Sequence, residues 1–259
     1  MKNIFKITCL TFLILTVTYQ VKAAEKVELL KTDWSFKGLF GKFDRGSLQR
    51  GYQVYTEVCA SCHSMKYLSY RNLSEDGGPE FSIEQAKAIA ASFEVADGPN
   101  DDGEMFQRPA KLSDKFVMPY LNVKEAQAAN GGAYPPDMSV LAKARSGGVD
   151  YIYSVLLGYE EPPNGVTLDD GVYYNKYMYG NKIKMSQPLY DGLVEYSDGT
   201  EATEKQMAKD VTTFLMWAAE PHLEARHKMG FKAILYLIIL TILVYLSMKK
   251  IWSRIESKV

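Results

Sequence analysis

The 259-residue sequence lacks several features that would direct it to common functional classes. Its formal net charge is −1, so it has no basic excess of the kind that binds nucleic acid. It contains no internal repeat, no low-complexity tract and no motif of a catalytic triad, a phosphate loop or a nucleotide site. Cysteine is scarce. One of only three cysteines, Cys9, lies in an apolar N-terminal stretch and has no partner left for a structural disulfide. The composition instead suits one globular domain with membrane segments.

The other two cysteines form a motif with the residue that follows them. Cys59 and Cys62 are three positions apart and His63 comes next, which is the C-x-x-C-H pattern of covalent c-type haem attachment. Near the end of a helix, this spacing presents both sulfurs to one edge of the macrocycle, where each forms a thioether with one vinyl group. The imidazole is then delivered to the iron as the proximal ligand. The alternative is a thioredoxin-like dithiol, which needs a βαβ context that the sequence does not show.

The N-terminal segment has the pattern of a secretory signal peptide. Two lysines and a short apolar run, residues 9–17, precede the alanines at 23–24. The run is short for a transmembrane anchor, and Cys9 lies inside it rather than after it, where a lipoprotein cysteine would stand. We therefore expect residues 1–23 to be removed and residues 24–228 to form an exported haem c domain. Export suits this covalent haem attachment, which in bacteria belongs outside the cytoplasm.

A second apolar run predicts a membrane helix near the C-terminus. Residues 231–248 contain one charge, Lys232, and with its flanks the stretch 229–251 reaches the roughly 20 residues that cross a bilayer. Basic residues follow, which suits a cytoplasmic tail at 252–259. The sequence thus predicts a single-pass protein of the bacterial inner membrane, with its haem domain on the periplasmic side. A buried helix of a soluble core is the alternative.

Between these ends the chain is predicted to be mainly α and rich in loops. Amphipathic spacing predicts helices over 46–60, over 81–95 and over 141–157 with an interruption at Gly147-Gly148, and a capping box at Thr203–Gln206 begins another that Pro221 ends. Stretches rich in Gly, Pro, Asn and Asp separate these helices. Such long loops are unusual in a compact domain unless they wrap around a cofactor, and a haem would give them an apolar surface to pack on.

An ordered set of short fragments resembles the cytochrome c1 family. The fragments are WSF at 34–36, VCASCHS at 58–64, DGPN at 97–100, RP at 108–109, LSD at 112–114, ANGGA at 129–133, PPD at 135–137, GY at 158–159, PP at 162–163 and EP at 220–221. Each is weak alone, but together they cover nearly the whole chain after the signal peptide. The resemblance implies the haem subunit of the cytochrome bc1 complex. That subunit stands beside cytochrome b, takes electrons from the Rieske iron–sulfur protein and passes them to a soluble or tethered cytochrome c.

Spacing alone does not identify the sixth ligand of the iron. Of eleven methionines, those in the signal peptide, at the membrane, in the last helix of the domain or next to His63 are set aside. Five remain, and each could equally be a core filler: Met105, Met118, Met138, Met178 and Met185. The family resemblance implies Met185. It also implies that Arg145 and Tyr151 meet the haem propionates and that Asn130 and Pro136 line the pocket, whereas from the residues alone Arg145 reads equally well as a solvated surface side chain.

An acidic run is a second functional candidate. Nine carboxylates and one lysine lie between Glu75 and Glu104. Such runs are usually solvated faces, but this one could steer a redox partner with a basic face, such as a c cytochrome. A smaller cluster lies at 160–170.

Three functions therefore stay open at this level. The first is the electron-transfer subunit, in which quinol oxidation would belong to the assembled complex rather than to this polypeptide. The second is a membrane-anchored haem sensor or peroxidase with an open sixth iron position. The third is a haem-free thiol oxidoreductase. The first two functions require one covalently attached haem c and contact with membrane lipid. Neither of them requires contact with nucleic acid.

Overall fold

The computed structural model describes residues 27–256, so the predicted signal peptide lies outside the described residues. Seven α-helices are found there: α1 (Arg45–Val54), α2 (Ile83–Ala91), α3 (Val123–Ala129), α4 (Leu141–Ala144), α5 (Gly148–Leu156), α6 (Glu204–Ala219) and α7 (Leu223–Glu256). Two short antiparallel hairpins join β1 (Glu94–Asp97) to β2 (Phe106–Pro109) and β3 (Tyr173–Tyr174) to β4 (Lys182–Ile183). Long loops connect these elements, so the predicted mainly α class is confirmed.

The first predicted helix, 46–60, is present but changes its winding before its end. Asp44 caps α1 by accepting a hydrogen bond from the Ser47 amide at 2.7 Å. After Val54 the chain continues as a π-helical turn, Tyr55–Cys59, in which the Ala60 amide donates to the Tyr55 carbonyl at 2.8 Å. Such wider turns are rare and occur often at functional sites. Here the π-turn leads directly into the C-x-x-C-H motif.

The other predicted helices are recovered with shifted ends. Within 81–95 the helix covers only Ile83–Ala91, because the chain pairs as a strand from Glu94 onward. The interruption in 141–157 is confirmed: Gly147 adopts φ +88°, a left-handed value that favours glycine. Helix α6 begins after Thr203, whose hydroxyl accepts from the Gln206 amide at 3.2 Å, and it ends before Pro221 as expected. The pattern missed α3, which is only seven residues long.

Helices α1 and α6 pack together at the centre of the core. Gly51 allows their close approach, since a Cβ at this position would come within 2.2 Å of the Asp210 carbonyl oxygen. Tyr52 of α1 meets Phe214 of α6 edge-on, with ring centroids 5.7 Å apart. Helix α1, which leads into the C-x-x-C-H motif, is therefore held against α6.

A buried ion pair links the same two helices. The Arg50 guanidinium donates from Nε to Asp210 Oδ2 at 2.8 Å and from Nη2 to Asp210 Oδ1 at 3.2 Å. Asp210 is fully buried, and its Oδ2 also accepts from the Gln206 amide group at 2.9 Å. A third bond from Arg50 reaches the half-exposed Asp198 at 2.6 Å. Since Asp210 depends on Arg50 to balance its charge, the pair constrains how α1 and α6 can pack.

Replacing Arg50 with methionine should destabilise the domain strongly. The variant keeps most of the apolar stem but leaves the Asp210 carboxylate buried without a cation, which costs about 3–5 kcal/mol of unfolding free energy. Guanidinium denaturation of the full chain in detergent, followed by tryptophan fluorescence, measures this loss. Asp198→Asn is the matched control and should cost much less, because it removes only the solvent-exposed partner of Arg50. Equal losses in the two variants would contradict the role given to the buried pair.

Helix α7 has the length and composition of a membrane span. The most apolar window of the stretch Leu223–Ser253 has a mean hydropathy of 2.2, and none of that window is buried. It is the one helix in residues 27–256 that is long and apolar enough to cross a bilayer. The helix begins at Leu223, six residues before the predicted span, because its first turn packs on the domain that precedes it. There the buried Glu224 accepts two hydrogen bonds from Arg45, at 2.8 and 3.0 Å.

Candidate haem-attachment site

The C-x-x-C-H motif folds into a tight turn at the end of the π-helical segment. The Cys59 carbonyl accepts hydrogen bonds from the Cys62 amide at 3.1 Å and the His63 amide at 2.9 Å. The Tyr55 hydroxyl donates to the His63 carbonyl at 3.2 Å. Both cysteines and the histidine therefore follow directly from a helix end, as the spacing of the motif predicts.

The two thiols are half-buried and unbridged. Burial, with a smaller contribution from the neighbouring Cys62, raises the pKa of the Cys59 thiol to about 12. In redox-active C-x-x-C pairs the pKa of the reactive thiol is lowered instead, so that the thiolate is available. The described residues also hold no βαβ unit, since their four strands form only two short antiparallel hairpins. Both observations count against a thioredoxin-like dithiol.

The His63 imidazole is prepared to bind a metal through one defined nitrogen. Its Nδ1 lies 2.9 Å from the Pro136 carbonyl oxygen, and because a carbonyl only accepts, Nδ1 carries the proton. Nε2 is then left with its lone pair, which is the arrangement of metal-binding histidines. Burial lowers the pKa of His63 despite the opposing hydrogen bond to Pro136, so the neutral form is favoured. The side chain is only 9% exposed.

Asp137 holds the segment that supplies this carbonyl. Its Oδ2 accepts from the Ser64 hydroxyl at 2.7 Å and from the Lys66 amide at 3.1 Å. The Met138 amide in turn donates to the Ser64 carbonyl at 2.8 Å. Burial acts to raise the pKa of Asp137, but the hydrogen bonds it accepts outweigh burial and lower it, so the carboxylate stays charged. Sequence reasoning gave Asp137 and Tyr55 no role, and only the PPD fragment at 135–137 pointed to this segment.

The five candidate methionines differ in their surroundings. Met138 is packed in the hydrophobic core, whereas Met105 and Met118 are exposed on the surface. The sulfur of Met178 accepts a hydrogen bond from the Tyr151 hydroxyl at 3.3 Å. Met185 is half-buried just after β4, and its carbonyl accepts from the Tyr159 hydroxyl at 3.1 Å. The half-buried Met178 and Met185 are therefore the two of the five that are neither core fillers nor surface side chains.

The other predicted pocket residues lie in three separate loops and helices. Arg145 is exposed, and the one partner of its guanidinium in the described part of the chain is the adjacent Ala144 carbonyl at 3.2 Å. Tyr151 is half-buried in α5. Asn130 caps the end of α3 and donates to the Tyr120 hydroxyl at 3.0 Å. Of the four residues implied by the resemblance, Pro136 is the one with a hydrogen bond to a motif residue.

The donor set fits a covalently held haem. Two unbridged thiols and one buried, neutral imidazole come from a single turn, and the imidazole has its second nitrogen occupied by Pro136. No group of three or more His, Cys, Asp or Glu side chains in the described residues is arranged to hold a bare metal ion, and the motif supplies a single histidine beside two thiols. A histidine in this state, next to the two thiols, could supply one axial ligand to an iron porphyrin.

Comparison with known proteins agrees with this site. The model of the Cytochrome C1 family matches residues 34–255. The protein "Cytochrome b/c1" of Bradyrhizobium diazoefficiens is 52% identical over 239 residues, which are 85% of this chain but 35% of that protein, so the chain spans about a third of its length. "Cytochrome c1-1, heme protein, mitochondrial" of Solanum tuberosum is 47% identical over 94% of this chain and 75% of that protein. "Cytochrome c1" of Rhodospirillum rubrum is 46% identical over 89% of both chains.

Proposed function

This chain belongs to the cytochrome c1 family, the haem electron-transfer subunits of the bc1 complex, and we propose that it passes electrons from the Rieske iron–sulfur protein to a cytochrome c. The observation that carries the proposal is the hydrogen bond from His63 to Pro136 beside two unbridged thiols. Cytochrome b is the proposed neighbour in the membrane, in keeping with the joint name of the Bradyrhizobium relative. Quinol oxidation belongs to the assembled complex.

The proposed roles follow from the chemistry of each side chain. Cys59 and Cys62 would hold the haem through thioethers, and His63 and Met185 would supply the protein ligands of its iron. When bound, the haem supplies a carrier that accepts and releases one electron. We further assign the propionates to Arg145 and Tyr151, and the pocket wall to Asn130 and Pro136. An arginine is suited to this role because its guanidinium presents several donors to a carboxylate in a fixed geometry.

The residues around the motif keep the imidazole of His63, the proposed iron ligand, in one tautomer. The Pro136 carbonyl fixes the tautomer of His63, and Asp137 holds the segment that bears this carbonyl. Burial of the imidazole favours its neutral form and excludes water from Nδ1. A ligand held this way need not reorient when the charge of the site changes, which favours fast electron transfer.

We propose that the chain is anchored in the bacterial inner membrane with its haem domain on the periplasmic side. The domain would comprise residues 24–228 after removal of 1–23, the span 229–251 and the cytoplasmic tail 252–259. The exposed, apolar helix α7 at the C-terminal end of the domain supports a single span. The structure extends the helix upstream of 229, so its first turn would stand outside the bilayer.

A haem assay tests the proposal directly. Acid–acetone extraction followed by a pyridine haemochrome assay should leave one haem per chain on the protein, because thioethers resist extraction. A haem-free chain would instead support the thiol oxidoreductase.

A carbon monoxide difference spectrum of the ferrous protein separates the remaining two functions. The electron-transfer subunit should bind carbon monoxide poorly, and a sensor or peroxidase with an open sixth position should bind it readily.

The acidic run is the proposed docking face for a basic cytochrome c. Not all of its nine carboxylates are available, since Glu80 pairs with Arg45 and Asp97 pairs with Arg108. Asp101, Asp102 and Glu104 lie in the loop between β1 and β2, are exposed, and form no ion pair within residues 27–256. Glu75, Asp76, Glu84 and Glu94 are also exposed and form no ion pair with another described residue, but this loop holds three unneutralised carboxylates within four positions and is the densest part of the run.

Neutralising this loop should slow electron transfer to a basic cytochrome c. The variant Asp101→Asn, Asp102→Asn, Glu104→Gln is expected to lose about tenfold in rate at low ionic strength, because steering by complementary charge accelerates encounter. The rates of the variant and the parent should converge as salt rises, since charges are screened beyond about 8 Å at physiological ionic strength. Stopped-flow reduction of cytochrome c at several salt concentrations measures both effects. Asp169→Asn with Asp170→Asn, in the smaller cluster, is the matched control, and a larger effect there would move the docking face.

A further inference from the structure

The loop before α1 carries an exposed apolar tip next to the start of α7. The Lys42 amide donates to the Ser35 carbonyl at 3.0 Å and closes the loop. Leu39 and Phe40 stand at its tip and are 69% and 74% exposed. A Cβ on Gly41 would come within 2.3 Å of the backbone, so the loop is tightly turned at this point. Two large apolar side chains are thus held in solvent by a closed loop, which is unusual for a surface without a binding partner.

The loop and α7 form one unit. The Phe43 amide, just after the loop, donates to Glu224 Oε1 at 2.9 Å. The Phe40 ring meets the Phe231 ring of α7 edge-on, with centroids 6.4 Å apart. These contacts leave a groove of about 270 Å³ between the loop and the helix. The apolar tip therefore stands beside the beginning of the predicted span.

The groove is apolar at its base and basic at its rim. Its apolar lining consists of Leu39, Phe40 and Phe231, and its cations are Lys42, Lys228 and Lys232. The three lysines are exposed and form no ion pair with another described residue. The one carboxylate in the lining, Glu224, is already paired with Arg45. The groove thus presents excess positive charge next to apolar surface.

One polar atom of the groove lining lacks a partner. His227 lines the groove, and its Nδ1 is buried without a hydrogen bond to any described residue. Buried polar atoms are nearly always hydrogen-bonded, so this nitrogen is an exception, one of three such side-chain atoms in the described residues.

The position of the groove along α7 corresponds to the headgroup layer. Glu224, Lys228 and Phe231 follow at intervals of four and three residues, so they share one face of the helix. Lys228 stands about 4.5 Å along the helix axis before Phe231, where the apolar stretch begins. Lys232 lies one residue inside that stretch and can extend its ammonium back to the headgroups.

We propose that this groove binds an anionic phospholipid of the leaflet on the haem-domain side. The phosphate would lie among Lys42, Lys228 and Lys232, and the acyl chains would run along Phe40 and the exposed face of α7. Charge complementarity selects an anionic headgroup, and continuity of the groove with the span selects a lipid over a soluble anion. The bound lipid would fix the height of the haem domain above the membrane.

Photo-crosslinking in nanodiscs tests this proposal on the full chain with its haem. Phosphatidylcholine nanodiscs would contain traces of either a photoreactive phosphatidylglycerol or a photoreactive phosphatidylcholine, and mass spectrometry would map the crosslinks. We expect phosphatidylglycerol to label residues 39–42 and 227–232 several-fold more than phosphatidylcholine does. Replacing Lys42, Lys228 and Lys232 together with glutamine should abolish this preference, so that the two probes label the groove equally. Phe40→Ser should reduce labelling by both probes, and the haem absorption spectrum reports that each variant is folded.

The matched control lies at the other end of the same helix. Lys249→Gln with Lys250→Gln should leave labelling of the groove unchanged, because these lysines would face the opposite leaflet. Equal labelling of the groove by the two probes, or an unchanged preference in the lysine variant, would overturn the proposal. So would loss of labelling on adding excess glycerol 3-phosphate, which would show a site for a soluble anion. Crosslinks from the groove to another subunit in native membranes would show that a protein occupies it instead.

Discussion

A chain with Cys59→Ala and Cys62→Ala is expected to hold no haem after acid–acetone extraction. These are the two cysteines in the described residues, and the proposed function assigns both thioether sulfurs to them. Without the haem, the long loops lose the apolar surface on which they pack, so the exported domain should unfold or be degraded. A pyridine haemochrome assay measures the covalent haem, and limited proteolysis reports the state of the domain.

Cys9→Ala is the control for this experiment. Cys9 lies in the predicted signal peptide, so its loss should leave haem content and export unchanged. Cys59→Ala alone should keep a single thioether and a shifted haemochrome absorption maximum. A stable, folded and haem-free double variant would contradict both the attachment site and the view that the loops require the haem.

Met185→Leu is expected to keep covalent haem but to abolish function. Leucine preserves volume and apolarity, so the packing cost should stay below about 1.5 kcal/mol. A thioether is a soft, neutral donor that stabilises ferrous over ferric iron, so its removal should lower the reduction potential. The drop should be a sizeable part of the roughly 0.8 V over which axial ligands set haem potentials. Carbon monoxide should gain access to the ferrous iron, and quinol-to-cytochrome c turnover of the assembled complex should collapse.

Met178 and Met118 provide the controls. Met178 is also half-buried, and its sulfur already accepts from the Tyr151 hydroxyl, whereas Met118 is exposed. Leucine at either position should leave the potential and the carbon monoxide spectrum close to those of the parent. If Met178→Leu or Met118→Leu lowers the potential while Met185→Leu does not, the sixth ligand is the other methionine.

Several features of the fold follow from patterns within a few neighbouring residues. The capping threonine at 203 and the proline at 221 predict both ends of α6, and the glycine pair at 147–148 predicts the interruption that separates α4 from α5. The mainly α class and the long apolar helix near the C-terminus are likewise confirmed. Short elements without a strong pattern, such as α3 and the β1–β2 hairpin, were not predicted, because their formation depends on packing rather than on local propensity.

The residues of the motif are close together in the sequence, whereas the groups that orient or neutralise functional side chains lie far away in the sequence. Three residues within one turn, Cys59, Cys62 and His63, are enough to predict covalent haem, because both thioethers and the proximal ligand would come from neighbouring positions. The carbonyl that fixes the His63 tautomer is 73 positions away at Pro136, and the cation that balances Asp210 is 160 positions away at Arg50. No periodicity or spacing encodes contacts of this kind.

Helix α7 likewise combines a feature that the sequence predicts with one that depends on tertiary contacts. Hydropathy alone determined that a span lies near the C-terminus, since about 20 apolar residues in sequence suffice to cross a bilayer. Only the tertiary structure decided that the helix starts at Leu223, because Glu224 must reach Arg45 and the Phe43 amide in a distant part of the chain. It also placed the Leu39–Phe40 tip beside Phe231, which creates the basic groove. Composition and spacing thus determined which functional groups the chain contains. Packing between distant segments decided how each of these groups is oriented and how its charge is balanced.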